Sequence, residues 1–122
     1  MITVAQLIVV VETSPRMRQS LEQILQVSGY DTALFSSAED MLADPGALEA
    51  DCFVVDVNLP CMSGVALRKE LSARGKLAPV IFLTDERVPA AFERHFQARF
   101  LQKPFRGYRL IRAIRTLLNV EE

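Results

Sequence analysis

What most constrains this chain is the spacing of its apolar runs: LIVVV at 7–11, TALF at 32–35, CFVVD at 52–56, VIFLT at 80–84 and RFLQ at 99–102. Stretches of helical periodicity separate them. Parallel strands need a long crossover between neighbours, so short strands alternating with helices point to a parallel sheet. The first, third and fourth runs are apolar almost throughout, which suits strands buried on both faces. Five such units in 122 residues, half of them hydrophobic, predict one compact α/β domain over 1–122 with an open, doubly wound sheet and right-handed crossovers.

The helical segments carry their own punctuation. Ser14 and Pro15 suit an N-cap and a first helical position, Met17, Leu21, Ile24, Leu25 and Ser28 share a face, and Gly29 stops the helix. Ser36 with Glu39 reads as a capping box for a second helix, which Pro45-Gly46 interrupts. Gly64 to Arg74 forms a third helix ended by Gly75, and Val88-Pro89 opens a short fourth with Phe92 and Phe96 four apart. Leu110, Ile111, Ile114, Leu117 and Leu118 stripe the last.

Open α/β sheets put ligand chemistry at the carboxyl ends of their strands. Glu12 follows the first strand, Asp56 ends the third, Thr84 ends the fourth and Lys103 follows the fifth, so four polar side chains converge on one rim. Asp56 and Glu12 make an oxygen-rich pair suited to Mg²⁺ and a phosphate. Asp56 can then act as an oxygen nucleophile toward a phosphoryl group, with the Lys103 ammonium and the Thr84 hydroxyl toward the phosphoryl oxygens. A strand-end Asp or Thr can equally bond its own turn; the joint occurrence of all four makes the chemical reading the stronger one.

The net charge of -1 argues against a nucleic-acid-binding domain. It is unevenly spread: residues 1–61 carry nine acids and two bases, residues 62–122 six acids and twelve bases. Such asymmetry suits a polar partner for one face, or simply solvated surfaces. No membrane span or signal peptide is recognisable, and Cys52 and Cys61 suit reduced thiols, so a cytoplasmic location is expected. His95, a lone histidine on a short helix, reads as packing or surface.

The sequence resembles the response-regulator receiver domains of two-component signalling along essentially its whole length. Asp56, Asn58, Pro60 and Gly64 in DVNLPCMSG, Thr84 in VIFLTDE, and Phe100 with Lys103-Pro104-Phe105 in FLQKPF carry the resemblance. FSSAEDML and VPAAF further resemble the receivers that head helix-turn-helix transcription factors. The resemblance implies a flavodoxin-like (βα)5 fold with strand order 2-1-3-4-5 and a non-enzymatic signalling role. Asp56 would accept a phosphoryl group from a sensor histidine kinase or phosphotransfer protein. Glu12, Asp56 and the carbonyl of Asn58 would bind Mg²⁺. Thr84 and Phe100 would form the switch pair, Lys103 would bind the phosphoryl group, and Lys103-Pro104 would be cis. Partners, whether an output protein or a second copy, would meet the fourth helix, fifth strand and fifth helix; neither membrane nor direct nucleic-acid contact is expected.

The sequence also departs from that family. Two adjacent acids normally follow the first strand, and Val11 and Glu12 stand there instead. One acid is gone, and the other is a methylene longer, displacing its carboxylate by up to ~1.5 Å. Mg²⁺ affinity is therefore expected to fall. Asp85 stands where a small residue is usual; it would repel phosphate, replace the missing ligand, or point to solvent. Asn58 and Glu86 flank the entry of a hydrolytic water and would tune phosphoryl lifetime. The segment from Thr84 to Lys103 is short, implying a truncated fourth helix. Arg106, Arg109, Arg112 and Arg115 recur every third residue and suit a solvated face. A dehalogenase-like phosphatase is disfavoured because Asn58 stands where its acid is needed. A flavodoxin-like carrier lacks a glycine for close backbone approach after the first strand. The remaining alternative is an atypical receiver that binds partners without phosphorylation.

Overall fold

The structure is a computed structural model describing residues 4–96 and 98–118. Its elements run β1 (Leu7–Val11), α1 (Pro15–Val27), β2 (Asp31–Phe35), α2 (Ala38–Leu42), a 3-10 turn (Ala47–Glu49), β3 (Cys52–Asp56), α3 (Gly64–Ala73), β4 (Val80–Thr84), α4 (Ala90–Phe96), β5 (Arg99–Gln102) and α5 (Gly107–Leu117). All strand pairs are parallel, in the order β2-β1-β3-β4-β5. The doubly wound fold anticipated from the apolar runs is the one observed. Among the described residues no helix is long and apolar enough to cross a membrane.

Alternation along the strands sorts the core into two layers. Ile8 and Val10 of β1 and Cys52 and Val54 of β3 pack with Leu21, Leu25, Leu110 and Ile114, beneath α1 and α5. Val9, Val11, Phe53 and Val55 pack with Ala38, Met41, Leu67 and Leu71, beneath α2 and α3. The central strands β3 and β4 are buried at all five positions, and the edge strands β2 and β5 are not. Each fully buried Phe, Leu or Ile contributes about 1.5–3 kcal/mol, so this double layer dominates the fold's stability.

Local signals set the helix ends. Ser14 is extended and its hydroxyl accepts from Met17 N, capping α1 with Pro15 next in line. The cap of α2 corrects the sequence expectation: Ser37, not Ser36, accepts from Asp40 N, so the box built on Ser36 and Glu39 does not form. Two adjacent serines made the choice ambiguous, and the extended backbone at Ser37 decides it. Gly29 (φ 95°) and Gly75 (φ 76°) end α1 and α3 in the left-handed region. The fourth helix begins at Ala90, just after Pro89, and is short as expected. Phe92 on it is exposed, whereas the side chain of Phe96 lies outside the described residues.

Gly64 brings α3 hard against the end of β3. A Cβ there would lie 2.5 Å from the Asp56 carbonyl oxygen and 3.1 Å from Val57 Cα, both backbone atoms that cannot swing aside. Gly64→Ala is therefore expected to destabilise the fold by about 2–4 kcal/mol. Urea unfolding followed by circular dichroism checks this, and Gly29→Ala, strained in φ yet meeting nothing within 4 Å, should lose less.

Candidate functional site

The carboxyl ends of the strands meet at one rim, and the register sets who stands beside whom. Val11 pairs with Val55 and Asp56 with Leu83, so the chain leaves β1 and β3 side by side, bringing Glu12 next to Asp56. Lys103 follows β5 and is tied back by its own amide, which donates to the Thr84 carbonyl at 2.7 Å. The Lys103–Pro104 peptide is cis.

The centre of the site is one ammonium between two carboxylates. Lys103 Nζ lies 2.8 Å from Asp56 Oδ2 and 3.2 Å from Glu12 Oε1. The other oxygens are engaged as well: Asp56 Oδ1 accepts from Asn58 N at 2.7 Å and Glu12 Oε2 from Ser14 N at 3.1 Å. Glu12 is 1% exposed, Asp56 6% and Thr84 7%. The surroundings split the two acids. Burial, reinforced by the Asp56 charge, raises the Glu12 pKa beyond what Ser14 and Lys103 can offset. Burial pushes Asp56 up too, but hydrogen bonds from Lys103, the Asn58 amide and Glu12 outweigh it and hold Asp56 below the ordinary value. Lys103 is raised: burial disfavours its charge, and the two carboxylates more than compensate.

The remaining site residues have partners of their own or face solvent. The Thr84 hydroxyl accepts from Glu86 N at 3.1 Å, which leaves its proton free to donate. Phe100 is half-buried, its ring 5.1 Å from that of Phe82 and tilted by 31°. Asn58, Asp85 and Glu86 are exposed, and Asp85 takes no part in the bonds around Lys103. Val11 is fully buried in the layer beneath α2 and α3, so the position that lacks an acid is filled by core. Cys52 and Cys61 are free; burial, aided by Asp51, pushes the Cys52 thiol up to about 12 and leaves it unreactive.

Sequence reasoning does not single out Arg18. Its guanidinium donates to the carbonyls of Glu12 at 2.7 Å and Thr13 at 3.0 Å, pinning the turn that carries the acid. The sequence shows it as one of two bases in an acidic half, both in the first turn or so of the same helix, and nothing there separates it from Arg16. As for a cation, the donor chemistry fits: two carboxylates from adjacent strands already share one positive charge. Among the described residues no group of three or more His, Cys, Asp or Glu could hold a metal. A divalent ion would therefore lean on carbonyl, water and phosphate oxygens, as Mg²⁺ commonly does.

Comparison with known proteins bears on the family and the fold. The family described as response regulator receiver domain matches residues 8–115. The transcriptional regulatory protein FixJ of Azorhizobium caulinodans is 38% identical over 113 residues, covering 90% of this chain and 54% of that protein. The chain spans about half the length of the curated relatives it matches. Among solved structures, chemotaxis protein CheY4 of Vibrio cholerae superposes with a TM-score of 0.83 at 24% identity, covering 93% of this chain and 99% of that one. The receiver domain of sensor histidine kinase PA1611 from Pseudomonas aeruginosa is described with a magnesium ion coordinated in its active-site cleft. It superposes with a TM-score of 0.79 at 26% identity, covering 95% and 99% of the two chains.

The ion triad makes a signed pH prediction. With its depressed pKa, Asp56 stabilises the fold above the ordinary aspartate range and loses that contribution as pH falls through its folded value. In Lys103→Met both acids lose that counter-charge, so the folded pKa of each rises from its wild-type position and the variant loses stability relative to wild type as pH rises from about 4 toward 7. The variant's deficit is expected to be largest at neutral pH, about 2–4 kcal/mol, and to shrink on acidification. Urea unfolding across that pH range measures it.

Proposed function

Because this chain belongs to the response-regulator receiver family, we propose that residues 1–122 form one receiver domain that acts as a phosphoacceptor switch, with Asp56 as the acceptor. The bridging of Asp56 and Glu12 by Lys103 is the observation that carries this reading. It keeps Asp56 an anion at neutral pH, and an anionic oxygen is what attacks phosphorus. The donor is a phosphohistidine on a sensor histidine kinase or phosphotransfer protein: an Asp56 oxygen bonds to phosphorus as the phosphorus–nitrogen bond breaks and the imidazole leaves.

Each neighbour then has a task. Lys103 exchanges a carboxylate oxygen for a phosphoryl oxygen, and the Thr84 hydroxyl donates its free proton to another. Glu12, Asp56 and the Asn58 carbonyl would hold Mg²⁺, whose charge offsets that of the phosphoryl group. Phe100 turns inward as Thr84 moves, biasing two pre-existing states. Asp85 and Glu86, exposed at the entrance, tune how water reaches the phosphoaspartate.

The output face comprises α4, β5 and α5. Residues 87–118 hold seven arginines and Lys103 against one acid, Glu93. A two-fold dimer sets the same patch against itself, which here opposes like charges, so an output protein suits this face better than a second copy. The name of FixJ suits an output in transcription. One observation favours a second reading, a receiver that binds partners without phosphorylation: Val11 is core, leaving a single acid after β1.

Incubation with acetyl phosphate, with and without Mg²⁺, followed by intact mass, separates the two. The expected outcome is one phosphate adduct that needs both Mg²⁺ and Asp56, is absent in Asp56→Asn, and in Glu12→Gln requires at least about tenfold more Mg²⁺. A folded protein with no adduct at any Mg²⁺ or donor concentration supports the second reading.

A further inference from the structure

Among the described residues, Glu93 ties the fourth helix to β5 through two hydrogen bonds. Among the helix's described side chains none is buried, and none belongs to either core layer. Glu93, however, bonds twice across the turn into β5. Its carbonyl accepts from Ala98 N at 3.2 Å, and its carboxylate Oε2 accepts from Phe100 N at 2.9 Å. β5 is an edge strand, whose outward amides have no neighbouring strand to receive them. The amide that Glu93 takes belongs to Phe100, whose ring packs on Phe82 of β4, two residues before Thr84.

Helix and strand are also closely spaced along the chain: α4 ends at Phe96 and β5 begins at Arg99. A charge-assisted bond to a backbone amide is stronger than a neutral one, and Glu93 is itself half-buried, so this tie is firm. We infer that Glu93 is the positioning residue that couples the state of Phe100 to α4, an inference that rests on the reading of Thr84 and Phe100 as the switch pair. A displacement of β5 that accompanies rotation of the Phe100 ring reaches α4 through the Glu93 carboxylate. By reciprocity, a partner that grips α4 biases Phe100 through the same bond.

The test uses the intact chain and two variants. Glu93→Ala removes the acceptor; Glu93→Gln keeps an amide oxygen in its place. Hydrogen exchange of the α4 and β5 amides is read with and without beryllium fluoride and Mg²⁺, which mimic the phosphoaspartate. In the wild type both elements should respond, by about fivefold or more in exchange rate. In Glu93→Ala the β5 response should persist while that of α4 falls below about twofold, and Glu93→Gln should restore most of it. An undiminished α4 response in Glu93→Ala overturns the inference and reduces Glu93 to a static tie.

Fluorine resonance shows separately whether the wild type binds beryllium fluoride. If it does not, the phosphoacceptor reading fails on its own account, and Glu93 is decided by a double-mutant cycle of Phe100→Leu with Glu93→Ala, read as α4 exchange without any adduct. A coupling of about threefold or more supports the link, and additive effects overturn it.

Discussion

Two carboxylates buried side by side at the end of a sheet cannot both stay charged unless something positive lies between them. The Lys103 ammonium does so, and the surrounding architecture is what puts it there. β5 must sit next to β4 for the Lys103 amide to reach the Thr84 carbonyl, and β1 must sit next to β3 for Glu12 to stand by Asp56. Removing one partner of such a buried group leaves an uncompensated charge, which costs more than the intact group contributes. Stability and chemistry therefore draw on the same three side chains.

That dependence explains the fate of Val11. A second acid there would have to enter a layer that Val9, Phe53, Met41 and Leu67 already fill. With valine the layer closes, and the rim keeps a single acid of its own on β1, one methylene longer than aspartate and held by bonds to both carboxylate oxygens. The opposite pKa shifts of the two acids follow from this arrangement. Glu12 is raised and Asp56 lowered, although both are buried, because the donors fall mostly on Asp56.

Much of this was legible before any coordinates. The apolar runs located the five strands to within a residue, Ser14-Pro15 and Gly29 bracketed α1, and Asp56, Glu12, Thr84 and Lys103 were expected on one rim. These signals are local or follow from topology. What escaped depends on tertiary reach. Ser36 and Ser37 are chemically equal, and only the backbone at the start of α2 chooses between them. Arg18 binds carbonyls, which leave no trace in side-chain patterns, and Glu93 bonds an amide seven residues away across a turn. Val11 was legible both as a lost acid and as part of a buried strand; the structure adds which layer it fills, the one beneath α2 and α3.

The turn between β1 and α1 has no slack. Within seven residues, Ser14 caps the helix and holds Glu12, while Arg18 grips the carbonyls of Glu12 and Thr13. Surface connections ordinarily drift in length as sequences diverge. Here an inserted or deleted residue would break the cap, the clamp and the carboxylate's support together. Length is therefore fixed where the chain leaves β1, because three supports that sit in one short turn would fail at a single insertion or deletion.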